Sequence, residues 1–186
     1  IVSRERDYRS LLPLYFLAAE SWDLSGFDLV ISTSHCVAKA AQRGPKGFHL
    51  CYCHTPVRYL HDQFEDYLRG RGALVRGAAR VVRAPLRARD RATVPRVDAF
   101  LANSENVRER IGRIYGRSSR VVPAPADTAF YTPPPSPRRR EGILVVSALA
   151  PYKRLGDALE ASELLGRTLT IAGFGPEEGR LRTLAG

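Results

Sequence analysis

Six short runs of β-branched and apolar residues, separated by stretches with helical periodicity, constrain this chain more than any other feature. They are Asp28 to Ser32, Phe48 to His54, Asp98 to Ala102, Arg120 to Val122, Ile143 to Ser147 and Leu169 to Ala172. The spacers carry helix signatures. Ser104 stands as a helix start ahead of Val107, Ile111 and Ile114 on one face, and Leu155, Leu159 and the stretch to Leu165 form a second amphipathic segment. Strand, helix, strand in this rhythm predicts α/β architecture with a parallel sheet. Coverage of such a sheet on both faces would account for the near-continuous apolar character of its strands.

One segment breaks the rhythm. Thr132 to Arg140 reads Thr-Pro-Pro-Pro-Ser-Pro-Arg-Arg-Arg, which cannot enter a helix or sheet interior and should run extended. It is a linker by composition, dividing a domain over residues 1–131 from the start of a second over 141–186. A block of about 45 residues cannot bury a self-sufficient core, so both domains are expected to be incomplete. The absence of methionine from all 186 residues points the same way, to a fragment. The longest apolar stretch, Leu11 to Ala19, is interrupted by Pro13 and is too short to span a bilayer. No basic-then-apolar leader precedes it, so secretion is not signalled.

Lysine occurs only at Lys39, Lys46 and Lys153, so 26 of the 29 lysines and arginines are arginine. Nine of them lie between Arg69 and Arg96, against the single acid Asp90, and supply most of the net charge of +10. Val75, Ala78, Ala79, Val82 and Leu86 recur there at helical spacing beside a stripe of Arg76, Arg80, Arg83 and Arg87. Two readings stay open: a helix packed on its domain with solvated arginines, or a peripheral contact with an anionic membrane or phosphorylated substrate. The stretch has no aromatic residue for base stacking and no recognition motif, so nucleic acid is not expected as a partner.

Three cysteines, Cys36, Cys51 and Cys53, cannot all pair, and a reduced, cytoplasmic setting is the natural reading. In a strand, Cys51 and Cys53 share a face while His54 points the other way, and no second Cys/His pair stands at finger spacing. They read as buried small residues, and no metal is expected.

Three segments could carry chemistry. Gly173-Phe174-Gly175-Pro176 follows a strand and leads into a helix, a place where glycines let backbone approach a phosphate, although a plain strand-to-helix turn explains it equally. Lys153 and Arg154 follow the run ending at Ser147, at the carboxyl end of a parallel strand where open α/β sheets bind ligands. Cations at a helix start are electrostatically misplaced unless an anion joins them, which favours a diphosphate over a merely solvated pair. His54, with Arg58 and Tyr59 close behind, ends another strand and can face a cleft or serve structure. No Ser-His-Asp or Cys-His ordering is legible, so acyl transfer has no support.

Taken together, these segments resemble the retaining glycosyltransferases of family 4, nearest to the bacterial mannosyltransferase-like branch that builds surface polysaccharides. Asp28-Leu29-Val30-Ile31-Ser32 with Ser34-His35 resembles that branch's "DLVISSSH". Cys51-Tyr52-Cys53-His54-Thr55-Pro56-Val57-Arg58-Tyr59-Leu60 resembles "CYCHTPMRYLW", with His61 in place of tryptophan. Asp90-Arg91, Arg96-Val97-Asp98 and Ala102-Asn103-Ser104 resemble "DR…RVD.F.ANS". Pro123 to Asp127 is similar to "PPVD", Val146 to Arg154 to "VSALVPYKR", and Gly173 to Pro176 to "GdGP".

The resemblance implies a GT-B fold of two Rossmann-like domains, both incomplete here. It implies transfer of a hexose, mannose favoured, from a nucleotide-diphosphate sugar to a saccharide or lipid-linked acceptor with retention. No cofactor or metal is implied, and GDP-mannose is the favoured donor substrate. Lys153 matches the lysine on the donor diphosphate, Arg154, Gly173 and Gly175 fall in the donor-binding segments, and His54 matches a cleft histidine near the transferred sugar. Arg58 and Tyr59 stand on the acceptor side. A cytoplasmic enzyme, peripheral on the inner membrane face, is expected. Ala148 stands where the wider family often carries arginine, five residues before the lysine. None of the ten glutamates forms the family's pair at i and i+8, so the fragment is expected to be inactive by itself, or to be a non-catalytic nucleotide- or anion-binding remnant of the same fold.

Overall fold

A computed structural model describes residues 11–68, 72–133 and 141–185. The chain divides into two compact units, Ile1–Ala126 and Asp127–Gly186. Most of the Pro/Arg-rich linker, residues 134–140, lies outside the described residues.

The first unit holds four parallel strands, β1 (Leu29–Ser34), β2 (Phe48–Cys53), β3 (Ala99–Ala102) and β4 (Ser119–Val121), hydrogen-bonded in that order. Its helices are α1 (Leu12–Glu20), α2 (Phe64–Leu68), α3 (Ala73–Ala92) and α4 (Glu105–Tyr115). Local chemistry explains α4 from end to end. The Ser104 hydroxyl accepts the Val107 N–H at 3.3 Å, and Gly116 closes the helix in the left-handed region at φ 65°. Between these caps Val107, Ile111 and Ile114 are buried, as their spacing predicts. Val107 and Ile111 pack with Cys51, Cys53, Val97, Phe100 and Ala102.

Only one face of this sheet is covered among the described residues. Ser32, Ser34, His49, Cys51 and Cys53 point into the core, whereas Leu29, Ile31 and Phe48 are exposed on the opposite face. The expectation of two covered faces is corrected accordingly: period-two alternation governs β1 and β2, and the inward set is small and partly polar. The polar members are satisfied. The His49 Nδ1–H donates to the Arg96 carbonyl at 3.1 Å, which leaves Nε2 to accept the Ser32 hydroxyl at 2.8 Å. Burial lowers the pKa of His49, in keeping with this neutral form.

A buried ionic cluster ties the segments after β1 and β2 to α3. The Lys39 ammonium spends its three donors on the Asp90 carboxylate at 2.8 Å, the Asp90 carbonyl at 2.7 Å and the Thr93 hydroxyl at 2.5 Å. His61 Nε2 donates to the other Asp90 oxygen at 2.8 Å, and the Tyr115 hydroxyl lies 3.5 Å from the carboxylate. Lys39 is 1% and Asp90 0% exposed. Nearby, Asp98 grips Arg43 through two bonds, at 2.5 and 2.8 Å, and accepts the His49 N–H at 2.7 Å. These donors hold its pKa down at about 2.

Helix α3 forms as its periodicity predicts, but the residues that pack are fewer than expected. Leu86 joins the cluster of Phe16, Val37, Val57 and Leu60, while Val75 and Val82 remain about half exposed. The arginine stripe divides too. Arg76 and Arg80 are exposed, whereas Arg83 is held inward, its guanidinium 4.2 Å over the Phe64 ring and donating to the Leu60 and His61 carbonyls at 3.0 and 2.9 Å. Among the described residues no helix is long and apolar enough to cross a membrane.

The second unit carries a parallel pair, β5 (Ile143–Val146) and β6 (Leu169–Ala172), with α5 (Leu155–Leu164) between them and α6 (Glu178–Leu184) after. Leu149, Leu155 and Leu181 form its buried centre, with Val145, Leu159 and Ile171 against them. Leu164 and Leu165, expected on the apolar side of α5, are exposed at its end.

Candidate functional site

The carboxyl ends of both parallel sheets gather the residues that the sequence singles out. In the first unit the last paired residues are Ser34, Cys53 and Ala102. The residues that follow them, His35, His54 and Asn103, therefore emerge from one edge. His54 is exposed, its N–H donates to the Ser34 carbonyl at 2.8 Å, and its ring stands edge-on to Tyr52 at 5.2 Å. Tyr52 in turn donates its hydroxyl to the Val122 carbonyl at 3.0 Å, which props the imidazole from beneath. Thr55, Pro56 and Val57 are buried and anchor the chain just beyond. His35 and Asn103 join the edge without having been singled out. The signal for them was positional, since each is the first residue past a strand.

Arg58 is exposed, whereas the Tyr59 hydroxyl lies 2.6 Å from the Cys36 sulfur, and Tyr59 packs on the cluster around Phe16 and Val57. Burial raises the Cys36 and Cys51 thiol pKa values, and burial, with repulsion from Cys51 once that is ionised, pushes Cys53 up to about 12. All three thiols are protonated at neutral pH. Among the described residues no three His, Cys, Asp or Glu side chains form a group able to hold a metal ion.

In the second unit the loops after β5 and β6 are stitched together. Ser147 N–H donates to the Ala172 carbonyl at 3.0 Å, Leu149 N–H to Phe174 at 2.9 Å, and Glu177 N–H returns to Leu149 at 3.0 Å. This approach is what demands glycine at two positions. A Cβ on Gly173 would stand 1.8 Å from the Ser147 oxygen, and one on Gly175 2.6 Å from the Leu149 oxygen. Gly173→Ala is accordingly expected to destabilise the unit by about 1–3 kcal/mol, read as faster hydrogen exchange across β5 and β6. Unchanged exchange would show that the loops move apart at little cost.

The stitching brings Gly173 and Gly175 beside the segment that leads to Lys153 and Arg154. A 3-10 turn over Pro151–Lys153 runs into α5, whose first turn has no side-chain cap. Lys153 is exposed, its ammonium 5.4 Å from the Tyr152 ring, with no carboxylate partner among the described residues. Arg154 differs: its guanidinium pairs with Asp157 at 2.5 Å, and its backbone is left-handed at φ 52°. A side chain there costs about 1–2 kcal/mol, so Arg154→Gly is expected to raise stability by about 1 kcal/mol in thermal melts. A loss instead would mean that the exposed Asp157 pair outweighs the strain. Arg180, on α6, also reaches this end of α5, its guanidinium 3.5 Å from where a Gly156 Cβ would lie. An apolar groove under α5 and α6, lined by Leu149, Leu159, Ile171 and Leu181, includes Gly173 but neither cation.

No family model matches the chain, and no curated protein matches it.

Proposed function

We propose that this chain is part of a retaining glycosyltransferase of GT-B type, taking a hexose from a nucleotide-diphosphate sugar, with GDP-mannose the favoured donor and a saccharide or lipid-linked acceptor. The observation that carries the proposal is the second unit's pair of strand-end loops. They put an exposed lysine, without a carboxylate partner among the described residues, at an uncapped helix start, beside two glycines that bring backbone close to the same strand end. A diphosphate answers both features, since it neutralises Lys153 and can accept from the Leu155 and Gly156 N–H groups that open α5, the Asp157 N–H being held by the Arg154 carbonyl at 3.0 Å. In this role Lys153 stabilises the charge that grows on the leaving nucleotide, and Gly173 and Gly175 admit the donor. His54, exposed and propped at the other unit's sheet edge, serves the acceptor side with Arg58, while Tyr59 holds that segment through Cys36.

Titrating the full chain with nucleoside mono- and diphosphates and a panel of nucleotide sugars tests the reading. Tighter binding of diphosphates than monophosphates, weakened by salt, supports it. Equal affinity for both would sink it. Diphosphate binding without turnover on any donor would favour a non-catalytic nucleotide-binding remnant. Ala148 and the engagement of Arg154 by Asp157 are the observations on that side.

A further inference from the structure

Residues 54–63 join β2 to α2 without helix or strand, and they carry His54 and Arg58. A segment outside the sheet ladder keeps its shape only if its backbone polar groups find other partners. Part of the answer lies within the turn. The Leu60 N–H donates to the Val57 carbonyl at 3.1 Å, and the His61 and Gln63 N–H groups both reach the Arg58 carbonyl, at 3.2 and 2.9 Å. Arg58 is pinned in this way by its backbone while its side chain stays exposed.

The later carbonyls of the turn are held from α3. Arg83 Nε donates to the Leu60 carbonyl at 3.0 Å, and a terminal nitrogen donates to the His61 carbonyl at 2.9 Å. The same guanidinium lies 4.2 Å over the ring of Phe64, the residue that opens α2. A planar fork suits two successive carbonyls and a ring face at once, which a lysine ammonium does not. Two further residues of α3 reach this segment. Leu86 packs with Val57 and Leu60, and Asp90 accepts the His61 ring N–H at 2.8 Å. Arg83, Leu86 and Asp90 stand at i, i+3 and i+7, so one face of α3 is turned to the segment. Leu86 also packs with Phe16 and Val37, and Asp90 also holds Lys39, so both serve the unit as a whole. The two hydrogen bonds of Arg83 go to the turn itself.

We propose that Arg83 is a positioning residue: by holding the Leu60 and His61 carbonyls it fixes the turn whose backbone sets where Arg58 projects. Neither reading of the arginine stripe includes this role. What Arg58 does for an acceptor rests on the transferase reading, whereas the hold on it does not.

Amide hydrogen exchange of the full chain, wild type against Arg83→Ala, tests the hold. Loss of bonds from a charged donor should speed exchange of the Leu60, His61 and Gln63 amides at least about tenfold. The amides of β2 and β3 should change less, because central strands open only with the unit as a whole. Arg83→Met, which retains packing on Phe64 and removes only the donors, should act alike. In a full-length context Arg83→Ala should raise the acceptor KM and leave the affinity for a nucleoside diphosphate unchanged, a split that a general loss of stability does not produce. Unchanged exchange at the turn would overturn the proposal. So would exchange that rises by one factor across turn and sheet, since Arg83 would then support the fold at large. An acceptor KM that stays put while the turn loosens would overturn the link from Arg83 to the reaction. Selective loosening in a chain that shows no preference for diphosphates would leave Arg83 in its role and sink the transferase reading instead.

Discussion

Replacing Asp90 by alanine is expected to cost the first unit about 3–5 kcal/mol, because it strands a fully buried ammonium. Lys39 has no route to water at 1% exposure, and the Asp90 carboxylate is its only counter-charge among the described residues. The same change removes the acceptor of the His61 N–H. Urea unfolding followed by the single tryptophan, Trp22, reports on this unit, and the midpoint should fall with little change in slope. Lys39→Met in the Asp90→Ala background should recover most of the loss, since a buried pair replaced as a whole is often near neutral. A single-variant loss under about 1 kcal/mol would mean that water reaches the site.

The acid limb of the stability curve follows from the same residues. Burial pushes the Asp90 pKa up, but the His61 hydrogen bond and the Lys39 charge outweigh it and leave the pKa lowered. Asp98 is lowered from 3.8 to about 2 by Arg43 and the His49 N–H. A carboxylate with a depressed folded pKa contributes stability that is fully present above its unfolded value and is lost as pH falls through the folded one. The loss should therefore run from about pH 4 down towards pH 2, and be shallower in Asp90→Ala. An acid limb equally steep in the variant would assign it to other carboxylates.

Lys153→Ala is the second large effect. If the donor diphosphate lies where we propose, turnover measured in a full-length context should fall by about 10²–10³, the scale for removing one preorganised group from developing charge. Stability should stay within about 0.5 kcal/mol, because the side chain is exposed and has no carboxylate partner among the described residues. That pairing of outcomes separates a ligand role from a structural one, which Asp90 could not do. The measurement is kcat/KM on the best donor of the panel, beside a thermal melt of the same preparation. Wild-type turnover retained by the variant would move the phosphate grip elsewhere, and the strand-end loops would be left as a structural turn.

Within the segments that carry the resemblance, buried supports and exposed groups can now be told apart. Asp90 and Asp98 hold Lys39, His61, Arg43 and His49, and they act through packing. His61, the departure from the motif's tryptophan, still offers a ring N–H, and it is spent on Asp90. His54, Arg58 and Lys153 are exposed, and they are the groups we propose for the chemistry. Sequence could not sort these, because burial of a charge depends on a partner 51 residues away, as for Lys39 and Asp90.

What the sequence by itself determined is local: strand positions from apolar runs, and α4 from Ser104 to Gly116 by its caps and its 3.6-residue period. The same period located α3, and the ordering of strands and helices set the parallel topology. Which way a helix face turns is decided by tertiary contacts. Val75, Val82 and Leu86 share one pattern, yet only Leu86 found a core to enter. The Gly173 requirement is likewise invisible in the chain, since it arises from the approach of Ser147, 26 residues earlier, across a parallel strand pair.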